Sequence, residues 1–209
     1  NLIKIYKTVC GPNVKIFNTS IENIEIAKMA VNCTMTTRIS LMNTFSEVCE
    51  KTKNSDIDNV GMIIKEFFLN FDKGFLAGLP YGGPCLPRDN IAMGSYLESK
   101  NIENNIPKAT DNVNNNIVSN IYKILKKKKV KKLLILGLTY KNDTPETTKS
   151  AAFDLIMKIK DKIDITVYDE TLNDIDNDLI KNIKKIKNLK TEIYCHETII
   201  IMKNKNYLK

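Results

Sequence analysis

No stretch of this sequence approaches the roughly 18–20 consecutive apolar residues needed to cross a bilayer, and nothing in it resembles a signal peptide. It has one histidine and five cysteines, and no Cys-x-x-Cys or Cys/His spacing that suits zinc. An odd cysteine count with no paired spacing argues against a disulfide framework, and the chain reads as a reduced, cytoplasmic protein. No Gly-x-Gly-x-x-Gly occurs, which excludes that form of dinucleotide pyrophosphate cradle from these residues. Internal repeats are absent as well.

What is present is ordinary in bulk: 43% apolar and 27% charged residues, as in globular domains. The net charge of +8, with lysines at 126–129, 131 and 132, raises nucleic-acid binding as a possibility. The 24 carboxylates and the lack of aromatics within the basic run speak against it. Lys, Asn and Ile are over-used throughout, so the lysines read as general bias and a solvated helix end. The Asn-rich patch at 111–116 reads the same way, as bias within a helix.

Along the chain, residues 14–17 read as a short strand. Thr19 and Glu22 have capping-box spacing, which starts a helix. No Gly or Pro interrupts from there to about Lys51, and Ile39, Met42, Phe45 and Cys49 recur at helical spacing. A helix of about 30 residues is long for a globular domain. A second helix is expected after Asp56, over residues 60–70, with Ile63, Ile64 and Phe67 inward. Further helices are expected at 89–100 and 109–128. The period then changes: residues 133–138 form a continuous apolar strand, 150–161 a helix, 163–169 a strand, 176–186 a helix, and 192–194 and 198–202 short strands. Strands alternating with helices imply a parallel sheet. The fold class is therefore α/β overall, an all-helical half followed by an α/β half, with the boundary near Val130.

Four of the eight glycines and three of the six prolines fall between Gly74 and Pro87, an irregular loop. Cys85 lies in it, two residues before Pro87, where a helix resumes. Helix N-terminal amides favour the thiolate, the reactive form of cysteine, and Asp89 sits one turn further on. From the loop alone, Cys85 as nucleophile and Cys85 as bystander in a shaped connector both stand. Gly82 and Gly83 allow backbone to come close to a ligand. Lys28 and Asn32 share a helix face at i, i+4 and could stabilise an oxyanion, or could be a solvated pair. Cys33 and Cys49 read as buried, inert thiols, and Cys195-His196 as incidental neighbours.

Glu25-Ile26-Ala27-Lys28-Met29-Ala30-Val31-Asn32, running into Thr37-Arg38-Ile39-Ser40-Leu41-Met42-Asn43, resembles the central helix of the UDP-glucose/GDP-mannose dehydrogenase family. Tyr81-Gly82-Gly83-Pro84-Cys85-Leu86-Pro87-Arg88-Asp89 resembles its catalytic Gly-Gly-x-Cys-x-Pro-Lys/Arg-Asp motif. Leu136-Gly137-Leu138-Thr139-Tyr140-Lys141-Asn142-Asp143-Thr144 is similar to its UDP-binding motif, with Val167-Tyr168-Asp169 following in order.

The resemblance implies an NAD-dependent two-step oxidation of a nucleotide sugar at C6. Cys85 would carry the thiohemiacetal and thioester, Lys28 and Asn32 would stabilise oxyanions, and Asp89 would position or activate water. It implies substrate contacts at Leu76, Ala77, Gly78, Tyr81, Gly82, Gly83, Tyr140 and Lys141, and NAD contacts at Arg88 and Thr148. The family division maps as a remnant of an N-terminal NAD-binding domain at 1–18, a helical central domain at 19–129, and a truncated Rossmann-like UDP-binding domain at 130–209. A homodimer through the long helix is implied; a membrane or nucleic-acid partner is not.

The sequence departs from the family where Glu146-Thr147-Thr148-Lys149-Ser150-Ala151 stands in place of Asp-x-Arg-x-Ser-Pro. Thr148 thus replaces an arginine that helps bind NAD. No arginine occurs near Leu69 and Asn70, and the sequence stops soon after Met202. These departures leave a degenerate, non-catalytic binding or oligomerisation module as the alternative.

Overall fold

The computed structural model describes residues 2–68, 74–141, 143–171, 180, 183–186, 189, 193, 196 and 198–202. Its architecture is α/β. The helices are α1 Leu2–Cys10, α2 Ile21–Lys51, α3 Ile57–Glu66, α4 Leu86–Ser99, α5 Asn105–Lys127 and α6 Ala151–Ile159. The strands are β1 Lys132–Leu136, β2 Asp164–Tyr168, β3 Lys184–Lys185 and β4 Thr198–Ile201. All strand pairs are parallel, in the order β3-β2-β1-β4.

The long helix forms because nothing between Ile21 and Lys51 breaks it. Its start differs from the capping-box expectation by one residue: Ser20 is the N-cap and accepts from the Asn23 amide, while Thr19 Oγ1 accepts from the Asn23 side chain. The middle of α2 (Thr36, Ser40, Met42 and Asn43) is buried, and the helix packs against α3, α4 and α5. Asp56 caps α3 as expected, but α3 ends at Glu66 and Ile63 and Phe67 point to solvent; Ile64 is half-buried. Gly61 explains the inward face, since a Cβ there would lie 2.7 Å from the Phe75 carbonyl oxygen. Close backbone approach, not apolar spacing, decides how α3 sits.

Residues 14–17 form no strand, and residues 2–10 are a helix that the sequence pattern did not suggest. Of the helix expected at 176–186, Lys184 and Lys185 are strand β3 and residues 176–179, 181 and 182 lie outside the described residues. Of the strand expected at 192–194, Ile193 alone is described, and it is not in a strand.

The apolar run after Val130 is β1, with Leu133, Leu134, Ile135 and Leu136 all 0% exposed. Successive side chains point to opposite faces. Leu133 and Ile135 join α6 (Leu155, Ile156, Ile159) and reach across to Val118 and Leu125 of α5. Leu134 and Leu136 pack on Ile186, Tyr168 and Ile199. Burial on both faces is why this strand reads as continuous rather than alternating. Because α5 belongs to both the helical bundle and this core, it bridges the two halves.

The turn after β1 is fixed by side chains. Asp169 Oδ2 accepts from the Leu138 amide at 2.7 Å and the Thr139 amide at 3.4 Å. Ser150, 1% exposed, donates to the Leu138 carbonyl at 2.5 Å and caps α6 through the Ala152 amide. Ser150→Ala removes both bonds and leaves a buried carbonyl unpaired, so the urea midpoint should fall by an amount equivalent to about 1–2 kcal/mol. An unchanged midpoint would show that the cap carries no stability.

Candidate active site

Residues 74–85 leave α3 and run as irregular backbone to α4. Gly78 and Gly83 take positive φ (139° and 79°), and Cys85 is the N-cap of α4 with no side-chain capping bond. Pro87 occupies the second helical position rather than the first. The thiol of Cys85 is exposed at the positive end of a 14-residue helix.

One turn behind it, Asp89 is 2% exposed and fully committed. Its Oδ2 accepts from Lys28 Nζ at 2.5 Å and from Asn32 Nδ2 at 2.6 Å, both on α2. Its Oδ1 accepts from Arg88 Nε at 3.0 Å, with Arg88 Nη2 at 2.9 Å. The sequence-predicted Lys28, Asn32 and Asp89 therefore meet in one cluster at the start of the helix that Cys85 caps. Arg88 reaches into that cluster while its side chain stays largely exposed. The hydrogen bond from Lys28 outweighs the opposing effect of burial and, with Asn32 and Arg88, holds the Asp89 carboxyl down at about 2. Cys33 donates to the Asp89 carbonyl at 3.8 Å; burial, then the charges of Asp89 and Asp111, push its thiol up. Cys33 and Cys49 are half-buried rather than buried as expected; Cys195 lies outside the described residues.

The two motif glycines approach protein. A Cβ on Gly83 would lie 2.6 Å from the ring of Tyr140, and a Cβ on Gly82 would run into the Lys149 carbonyl. Gly83 also donates its amide to the Thr148 carbonyl at 2.9 Å. At both positions the space that a Cβ would take is filled by the loop after β1. Thr148 serves through its carbonyl, which any residue could supply, and its amide donates to Glu146 Oε1 at 2.8 Å. Tyr140 (40% exposed) and Lys141 remain open to solvent beside β1. Leu76 is exposed and Ala77 half-buried, while the Gly78 amide donates to Asn43 Oδ1 at 2.7 Å.

The sequence reading missed Asp111 and Asn114. Asn114 grips the Tyr81 backbone at both ends, accepting from its amide at 2.8 Å and donating to its carbonyl at 3.0 Å. Asp111 Oδ1 accepts from the Tyr81 hydroxyl at 2.5 Å and from Asn90 Nδ2 at 2.9 Å. Burial and the Asp111 carboxylate push the Tyr81 hydroxyl well above its usual range. Tyr81, Asp111 and Asn114 also line a cavity of about 560 Å³ between the loop, α5 and α6, whose lining includes neither Cys85 nor Lys28. Their i, i+3 spacing on α5 was the available signal, hidden by the surrounding asparagines.

The order β3-β2-β1-β4 places a topological switch point at the carboxyl ends of β1 and β4, where such sheets bind ligands. The amides of Leu138 and Thr139 there are already occupied by Asp169, an anion. They do not fit a dinucleotide pyrophosphate, and Gly137 is the only glycine in the turn. Among the described residues no group of three or more His, Cys, Asp or Glu could hold a metal, and no helix is long and apolar enough to cross a membrane.

Since the folded carboxyl of Asp89 lies below its ordinary value, the stability it confers is complete above about pH 4. That stability is lost as pH falls from there through about 2. Urea unfolding followed from pH 5 to 2 should therefore lose a component in Asp89→Asn that the natural protein shows. Parallel pH profiles for the two proteins would refute the ionised cluster.

The chain matches the central-domain model of the UDP-glucose/GDP-mannose dehydrogenase family over residues 22–116 and the family's UDP-binding-domain model over residues 134–209. It is 31% identical over 171 residues to a UDP-glucose 6-dehydrogenase of Rickettsia felis, covering 77% of this chain and 37% of that protein. It is 33% identical over 171 residues to that of Rickettsia conorii, covering 77% and 38%. It thus spans less than two-fifths of the length of these relatives. The structure of a UDP-glucose dehydrogenase from Pyrobaculum islandicum superposes with a TM-score of 0.89 at 21% identity, over 97% of this chain and 48% of that one. The helical half with its Cys85 loop, and the parallel sheet with its capped turn, match successive domains of one family: this chain belongs to the UDP-glucose/GDP-mannose dehydrogenase family.

Proposed function

We propose that this chain carries the covalent half of an NAD-dependent oxidation of a UDP-glucose-type nucleotide sugar at C6 to the uronic acid. The observation that carries this reading is the Asp89–Lys28–Asn32 cluster set one helical turn behind Cys85 at the N-terminus of α4. Cys85 Sγ adds to the C6 aldehyde, forming a C–S bond and a thiohemiacetal oxygen that Lys28 and Asn32 stabilise. Loss of a hydride from C6 leaves a thioester. Water then adds to its carbon, the C–S bond breaks, and Cys85 departs as thiolate while the free acid is released.

Asp89 holds Lys28 and Asn32 in place and orients water. Lys28, Asn32 and Arg88 hold its carboxyl low, which favours orienting water over taking its proton. NAD, when bound, supplies the hydride acceptor. With Asp169 on the amides after β1, its cradle is assigned to a domain outside these 209 residues, and Arg88 and Thr148 contribute at most at its margin.

The nucleotide is assigned to the switch point, with Tyr140 and Lys141 from the β1 turn and the backbone of Leu76, Ala77, Gly78, Tyr81, Gly82 and Gly83 facing it. The free thiols suit a reducing compartment such as the cytoplasm. The intact protein, given UDP-glucose and NAD, should yield the uronic acid, and Cys85→Ser should lower turnover more than about a hundredfold. Residues 1–209 alone should form no NADH. Normal turnover by Cys85→Ser refutes the mechanism.

We further infer a homodimer through α2. Ile24, Val31, Leu41, Phe45 and Val48 lie exposed along it at successive intervals of 7, 10, 4 and 3 residues, an apolar seam that a second copy would cover. Sedimentation should report a dimer, and Leu41→Lys with Val48→Lys a monomer. A monomeric natural chain would dispose of the seam.

A further inference from the structure

Cys85 lies on a segment held at two points, Tyr81 before it and Asn90 after it, and both are tied to a single oxygen. Asp111 Oδ1 accepts from the Tyr81 hydroxyl at 2.5 Å and from Asn90 Nδ2 at 2.9 Å. Asn90, 1% exposed, is locked further: its Oδ1 accepts from Thr36 on α2 at 3.0 Å, and its Nδ2 donates also to the Pro107 carbonyl at 2.9 Å. One turn along α5, Asn114 holds the Tyr81 amide and carbonyl together. The irregular backbone from 82 to 85 has no ladder of its own; besides the Gly83 amide, which donates to the Thr148 carbonyl at 2.9 Å, it depends on these two ends to hold its span.

The structure assigns Asp111 and Asn114 of α5 as positioning residues that fix the two ends of the Cys85 segment and so set the thiol at the N-terminus of α4. The assignment extends the proposed role of Cys85, but its geometry stands without it. Neither residue touches Cys85; they act through Tyr81 and Asn90. The required chemistry at 111 is an acceptor oxygen rather than a charge, because both donors are neutral. The bland reading, that Asp111 and Asn114 merely stabilise a helix contact, predicts the same loss of stability on substitution but no change at the thiol.

The reporter is the pH midpoint of iodoacetamide alkylation at Cys85, read by peptide mass spectrometry on this chain without sugar or NAD. The charged and titratable groups around the segment are Lys28 and Cys33 on α2, Tyr81 in the loop itself, Arg88 and Asp89 on α4, Asp111 on α5, and Tyr140 and Lys149 on the loop after β1. Releasing the segment moves the thiol relative to these groups and to the helix end, so it should shift the midpoint. Asp111→Leu and Asn114→Ala should each shift it by about half a pH unit or more. Asp111→Asn keeps the acceptor and drops the charge, so it should leave the midpoint in place.

An unchanged midpoint in Asp111→Leu and Asn114→Ala overturns the assignment, as does an equal shift in Asp111→Asn. If Asp111→Leu does not fold, Tyr81→Phe removes only the hydroxyl bond; its midpoint should also shift, and no shift counts against the assignment. Because the readout needs no turnover, failure of the dehydrogenase reading, seen with Cys85→Ser, is scored separately.

Discussion

The carboxylate of Asp89 is the point on which the candidate site depends. It is buried, it is charged, and four donor nitrogens from three side chains converge on it. A buried carboxylate left unpaired would cost several kcal/mol or would take up a proton. Here it keeps its charge because Lys28 and Asn32, a helical turn apart on α2, both reach it. That requirement fixes the rotation and height of α4 against α2. Cys85, at the cap of α4, is carried to its place by the same constraint.

A second constraint comes from the other half of the molecule. The Cys85 loop has too little regular structure to hold itself, and it borrows partners on two sides. α5 supplies Asp111 and Asn114, and the loop after β1 supplies the Thr148 carbonyl and the face of Tyr140. Gly82 and Gly83 are what allow that loop to close in. The β1 turn is in turn shaped by Asp169 and Ser150. The loop that carries the thiol therefore rests on the nucleotide-binding-type half, and α5, packed into both cores, keeps the halves in register.

Much of this was legible in the residues. The length of α2 followed from the absence of any helix breaker, and the strand after Val130 from an unbroken apolar run that only a doubly covered sheet strand tolerates. The helix start behind Cys85 followed from Pro87. Where the reading failed, a local pattern lost to a tertiary one. Ile63 and Phe67 have helical spacing, yet they face outward because Gly61 lets Phe75 approach the other side of α3. Residues 14–17 have strand-like composition but, among the described residues, no neighbouring strand to pair with. The asparagine patch on α5 carried no visible signal, because Asp111 and Asn114 matter only through their partner, Tyr81, some thirty positions earlier.

By itself the sequence determined that Cys85 sits at a helix start within a Gly/Pro-rich loop, that Lys28 and Asn32 share a helix face, and that an α/β half follows a helical one. These are matters of local spacing, which the 3.6-residue helix and the two-residue strand impose without reference to the rest of the chain. Tertiary structure alone decided that Asp89 is the residue on which Lys28, Asn32 and Arg88 meet. It also decided that the motif glycines make room for Tyr140 and Lys149, and that one oxygen of Asp111 ties down both ends of the thiol's segment. Such meetings join residues tens of positions apart, and burial, which makes a hydrogen bond obligatory rather than optional, exists only once the chain has folded.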